Sequence, residues 1–256
     1  MSKETEKRAR QLREAAAAKQ RRQRNRTNLY FSLGVAVIVG LLITIVVVAI
    51  TSSQKGKTTL GSGPQATPSS ITSTGALPIG KDTAPVTLSV YLDYQCPACK
   101  AFEEANASEI EKLVADGTLR VELHPMTFLD PQSGGTKYST RAANAVATVS
   151  DKAPDALLKF NNGLYAHQPA EGGTGLDDAM ISEIAVSAGV PKEVADTFTQ
   201  GRFVDWAGKS NEEATKAGVS STPTLKINGE KFEGDAFTAG ALTEAIKAAA
   251  AKAGSK

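Results

Sequence analysis

The chain has two cysteines, three residues apart in Cys96-Pro97-Ala98-Cys99, and they sit where the hydrophobic pattern changes period. Before them Val86, Leu88, Val90 and Leu92 alternate with Thr87, Ser89, Tyr91 and Asp93, the repeat of a strand with two faces. After them a helix is predicted from Pro97 to Asp116, with proline in the first turn, where a missing N–H costs nothing. Residues i and i+3 of such a turn share a face, so the two sulfurs can close a disulfide without moving the rest of the fold. The unpaired N–H groups and the positive dipole end at a helix N-terminus favour a thiolate, and lower the Cys96 pKa from a free value of about 8.5. The thiolate is the attacking species in disulfide exchange, which casts Cys96 as the residue that joins a client and Cys99 as the one that resolves the adduct. Three other uses of the pair fit less well. Core cysteines need no such spacing, and a purely structural disulfide here would close a tiny loop that constrains the unfolded chain little. A zinc site needs four ligands, yet His124 and His167 are the only histidines, so no metal is expected.

Asp116-Gly117 turns the chain, and Leu119, Val121 and Leu123 mark a second strand, completing a βαβ unit. From Ser139 to about Gly218 the periods are helical, as in Ala142, Val146 and Val149, or Phe203, Trp206, Ala207, Ser210 and Ala214. Pro154, the loop Gly172 to Gly175 and Pro191 divide this block into four or five helices. Strand signals return at Thr224 to Ile227 and Glu230 to Phe232, joined by Asn228-Gly229, a pair suited to a type I′ turn. A last helix places Leu242, Ala245, Ile246, Ala249 and Ala250 on one face. The reading is one α/β domain over 77–256 with a helical insertion at about 137–218.

The N-terminal quarter is of another kind. Residues 1–26 carry ten Lys/Arg against three Glu, a net of +7 where the whole chain carries +2. No charge follows until Lys55, and the 22 residues Leu29 to Ile50 are long enough to cross a bilayer core of about 30 Å. That context turns the basic arm, 1–28, from a nucleic-acid reading toward a membrane one. Arg21, Arg22, Arg24 and Arg26 outweigh Lys55 and Lys57, so the positive-inside rule expects a cytoplasmic N-terminus and a single-pass anchor over 29–50, with everything beyond it extracytoplasmic. A cleaved signal peptide is the rival; the apolar run is long for one and no clean small-x-small site follows it. Residues 51–76, rich in Ser, Thr, Gly and Pro, read as a flexible tether.

Pro78-Ile79-Gly80, Ala84-Pro85-Val86-Thr87, Asp93-Tyr94-Gln95-Cys96-Pro97-Ala98-Cys99 and Thr222-Pro223-Thr224 together resemble the DsbA-like branch of the thioredoxin superfamily over roughly Leu77 to Ala253. The resemblance implies a thioredoxin-like fold and protein thiol-disulfide oxidoreductase activity without a cofactor. It implies a cis peptide bond before Pro223, with Thr222 and Pro223 facing the cysteines and offering backbone groups to a client chain. It also implies reduced exported proteins as clients, and a DsbB-like or vitamin K epoxide reductase-like membrane partner that reoxidises the pair. Two positions depart from the family pattern. Pro97-Ala98 stands where strongly oxidising members have Pro-His, and Val90 stands six residues before Cys96, where many relatives bury a carboxylate.

Outside the pair, His124 reads as a strand-end packing or hydrogen-bonding residue and His167 as a helix-end surface residue. Glu103 and Glu104 suit the helix dipole and solvent. The loop Gly172 to Gly175 lacks the Lys-Ser/Thr of a phosphate cradle. Leu164, Tyr165, Met126 and Phe128 are candidates for an apolar client groove. Disulfides persist outside the cytoplasm, which favours donation of disulfides over reduction or isomerisation by the same pair. A redox-inactive tethered scaffold that uses its helical lobe to hold a partner is the reading from a different class.

Overall fold

The structure, a computed structural model, describes residues 64–254. The basic arm, the expected membrane span and the tether as far as residue 63 lie outside the described residues. Among the described residues no helix is long and apolar enough to cross a membrane.

Five strands make one mixed sheet in the order β1-β3-β2-β4-β5. β2 (Val86–Leu92) and β3 (Leu119–Pro125) run parallel at its centre, linked by helix α1 (Pro97–Ala115). β1 (Leu77–Ile79) lies antiparallel on β3, and β4 (Thr224–Ile227) antiparallel on β2. β5 (Glu230–Lys231) closes the far edge as a hairpin on β4. In that turn Asn228 has φ 50° and Gly229 φ 86°, the two left-handed residues that a type I′ turn requires.

Between β3 and β4 run five helices: α2 (Tyr138–Lys152), α3 (Leu157–Ala166), α4 (Asp178–Ser187), the short α5 (Lys192–Ala195) and α6 (Val204–Lys216). Helix α7 (Ala241–Gly254) follows the hairpin and packs on α1 and β2, while α2 and α6 pack together. The alternation in β2 suggests one wet face, but Leu88 through Leu92 are all buried. Successive strand residues point to opposite sides, so both faces of β2 are covered, as expected of a central parallel strand. Ser89 and Tyr91 are tolerated inside because each has a partner: the Ser89 hydroxyl donates to Glu122, and the Tyr91 ring stacks on His124 with centroids 4.1 Å apart.

The structure differs from the sequence reading at the end of the tether. Residues 66–76 lie against the folded unit rather than free of it. Ala66 N–H donates to the Arg202 carbonyl at 2.9 Å, Ser69 N–H to the Asp151 carboxylate at 2.9 Å, and the Thr74 hydroxyl to Glu122 at 3.0 Å. Ser and Thr here are not merely solvated; their short polar groups bond to the elements they cross. Pro68 and Ala76 are buried beneath them.

Leu88 sits at the centre of the sheet and is fully buried. Leu88→Ala is expected to cost about 2–5 kcal/mol, through lost burial and the cavity left behind, read as a lower urea midpoint with an unchanged m-value.

Candidate active site

The parallel strand β2 ends at the sheet's edge, and the chain must turn at once to start α1. Asp93 makes that turn. Its carbonyl accepts the Cys96 N–H at 3.0 Å and the Tyr165 hydroxyl at 3.1 Å. Its carboxylate accepts three more donors: Gln95 N–H at 2.9 Å, Leu129 N–H at 3.0 Å and the Ser139 hydroxyl at 2.7 Å. One fully buried residue therefore fixes the end of β2, the start of α1, the loop after β3, and the helices α2 and α3. Burial raises the Asp93 pKa to about 6 even though those donors favour the anion.

Cys96 is the N-cap residue of α1, with extended backbone (φ −79°, ψ 118°), and Pro97 follows in the first turn. Both cysteines are free thiols; Cys96 is half-buried and Cys99 fully buried. In the thiol form the Cys96 side chain makes no capping bond, and its S–H faces the Thr222 carbonyl at 3.5 Å. As an anion the sulfur is better served. A hydrogen bond from the Cys99 thiol is the largest effect, and bonds from the Thr222 side chain and the Cys99 and Ala98 amides add to it against the cost of burial. Together they bring the Cys96 pKa down from about 9 to about 5. Cys99 moves the other way: burial opposes its charge, and so does the neighbouring Cys96 sulfur, so it stays a thiol. The pair is thus one stabilised thiolate and one buried proton donor.

The Thr222–Pro223 peptide bond is cis, and Thr222 lies against Cys96 across the fold. The structure therefore brings Cys96, Cys99 and Thr222 together, with Pro97 and Ala98 forming the turn between the sulfurs. Gln168, just past α3, donates its side-chain amide to the Cys96 carbonyl at 2.8 Å, and Gln95 donates to the Gly173 carbonyl at 2.9 Å. Through these two bonds the loop after α3 is tied to the cysteine turn.

Other candidates fall elsewhere. Met126, Leu164 and Tyr165 are core residues and Phe128 is partly buried against Met126 and its neighbours, so they do not form an exposed client groove. His124 is buried against Tyr91, and burial lowers its pKa to about 4, which keeps the ring neutral. His167 caps the end of α3 in an exposed position. Glu103 is not a solvent-facing carboxylate: it is 7% exposed, and its Oε1 accepts the Asn161 side-chain amide at 2.9 Å. The sequence carries a sign of this, since Cys99, Glu103, Asn106, Ile110 and Leu113 fall on one helical stripe that is buried along its length.

The geometry agrees with what the chain resembles. A thioredoxin family model matches residues 72–248, well over half of the chain. Among solved structures, the reduced disulfide bond oxidoreductase DsbG of Mycobacterium tuberculosis is 30% identical with a TM-score of 0.59, over 71% of this chain and 95% of that one. The reduced DsbA of the same organism is 28% identical with a TM-score of 0.55, over 70% and 98%. The serine/threonine-protein kinase PknE of M. tuberculosis is 30% identical over 152 residues, 57% of this chain, and the match spans 27% of the kinase's length. With the family model covering most of the folded residues and a DsbG structure matched along nearly its whole length, the chain belongs to the thioredoxin family, in the branch of the DsbA- and DsbG-type thiol-disulfide oxidoreductases.

Proposed function

We propose that this chain donates disulfides to reduced exported proteins from a position tethered outside the cytoplasmic membrane. The observation that carries the reading is the unequal pair: Cys96, held near a pKa of about 5, beside Cys99, held as a buried thiol. Stabilising the reduced state in this way makes the oxidised state the better electron acceptor. In the working cycle a client thiolate attacks Cys96 Sγ, the Cys96–Cys99 bond breaks, and Cys99 leaves with the electron pair and takes up a proton. A second client thiolate then attacks the client sulfur of the mixed disulfide. The client's disulfide forms, Cys96 leaves as the thiolate, and the two electrons stay on the enzyme. Thr222 and Pro223 are the surface against which the client backbone lies.

A membrane partner of the DsbB or vitamin K epoxide reductase type would then take the two electrons and restore the disulfide. The basic arm and apolar span of the sequence support single-pass anchoring with the N-terminus in the cytoplasm. Reduction or isomerisation by the same pair is favoured by one feature, Ala98, which leaves the thiolate without a histidine between the cysteines.

Removing Cys99 leaves an adduct with no resolving thiol. Cys99→Ala, expressed as the full chain, is expected to accumulate mixed disulfides with exported proteins, seen as reducible bands that Cys96→Ser abolishes; no adducts, with Cys96→Ser leaving partner binding intact, would favour the scaffold. The reactivity of reduced Cys96 toward an alkylating agent is expected to rise with pH about a midpoint near 5. In Cys99→Ala the largest stabilising hydrogen bond is gone and the midpoint moves up. The same shift appears in stability. The folded Cys96 pKa lies below its ordinary value, so Cys96 adds stability to the reduced protein as pH rises from about 5 to about 9, and that contribution is lost on acidification. The oxidised protein, with no thiol to titrate there, lacks that dependence, and paired urea titrations across that range measure the difference.

A further inference from the structure

Each turn of this chemistry moves a proton on or off Cys99, which is fully buried and so needs a proton acceptor inside the fold. We propose that Glu103 is that acceptor, taking the Cys99 proton when the disulfide closes and returning it when Cys99 leaves. This rests on the redox reading above.

Three observations support it. Glu103 follows Cys99 by four residues in α1, and both belong to the buried stripe of that helix. Side chains four apart on a helix are neighbours and lean toward its N-terminus, so Cys99 and Glu103 occupy adjoining positions on that buried face. The carboxyl is also built in rather than stranded. Asn161 of α3 donates to Oε1 at 2.9 Å and is itself fixed by the Tyr94 hydroxyl, which donates to Asn161 Oδ1 at 3.0 Å. Burial raises the Glu103 pKa to about 7, with Asn161 favouring the anion and Glu111 of the same helix opposing it. The neighbouring groups from the β2–α1 turn and α3 are Tyr94 and Tyr165, whose hydroxyls stay protonated because burial raises both pKa values well above 10. A carboxyl that is half-ionised near neutral pH can both take and give a proton there.

The steps balance. The reduced enzyme's Cys96 thiolate attacks glutathione disulfide, forming the Cys96–glutathione bond and expelling one glutathione thiolate. Cys99 then loses its proton to the Glu103 carboxylate and attacks Cys96 Sγ. The Cys96–Cys99 bond forms, the second glutathione thiolate leaves with the electron pair, and the Glu103 proton passes to solvent. Glutathione disulfide is reduced by two electrons and the enzyme is oxidised by two.

The test follows this reaction in the full-length chain by acid quench from pH 6 to 8, counting the mixed disulfide and the closed disulfide separately. In Glu103→Gln the first attack, by Cys96, is expected to stay within twofold of the wild type. Closure by Cys99 is expected to slow at least about tenfold and to lose its inflection near pH 7, so that the mixed disulfide accumulates. Asn161→Ala keeps the carboxyl but removes the donor that favours its anion, and is expected to move the inflection to higher pH. It provides the same test if Glu103→Gln does not fold. Closure within twofold of wild type at every pH in Glu103→Gln, or an unmoved inflection in Asn161→Ala, overturns the assignment of Glu103 alone. Absence of the first attack in the wild type overturns the redox reading itself.

Discussion

Cys96 caps the start of α1, where Pro97 has no N–H and the Cys99 and Lys100 amides reach the Cys96 carbonyl at 3.0 and 3.2 Å. The same turn converges on the Cys96 sulfur, whose anion gains the Cys99 thiol and Thr222 together with the Cys99 and Ala98 amides. The rest of the structure can be understood as the means of holding that convergence in place. β2 must end at Leu92, Cys96 must cap α1 after the short turn that follows, and Thr222 must arrive from the turn before β4, more than a hundred residues away along the chain. The parallel β2–β3 pair and the antiparallel β4 on β2 supply this arrangement through the register of Val86 to Leu92 against Leu119 to Pro125 and of Tyr91 against Thr224.

Two buried carboxyls accompany the thiolate, and they do different things. Asp93 uses its oxygens for five hydrogen bonds and ties the cysteine turn to the helical insertion. Losing its charge would weaken its hold on three donors, two of them backbone amides, so it acts through the position of its neighbours. Glu103 has a side-chain amide on one oxygen and shares the buried stripe of α1 with Cys99, and under the proposal above its change of charge is used in the chemistry. Burial raises the pKa of each, and their hydrogen-bond partners separate the two roles.

Much of this was legible in the sequence, because the strongest signals were local. Cys96-Pro97-Ala98-Cys99 at a change of period marks the strand–helix junction, and Asn228-Gly229 marks the hairpin through backbone angles that few other pairs adopt. What was not legible depended on tertiary partners. β1 is three residues long and gains its identity only by pairing with β3. Residues 66–76 look like a tether until Asp151, Arg202 and Glu122 are placed beside them. Met126, Leu164 and Tyr165 have the composition of a binding groove and the burial of a core. Glu103 looked solvent-facing by residue type, although its place on the Cys99 stripe pointed inward.

The central claim is that the fold stabilises the reduced pair enough to make its disulfide a donor. The reduction potential of Cys96–Cys99, obtained by equilibrating the protein in graded glutathione buffers and counting free thiols, tests it most directly. A potential of roughly −120 to −180 mV is the result expected of a disulfide donor, whereas one near about −270 mV, in the range of a reductase, would contradict it.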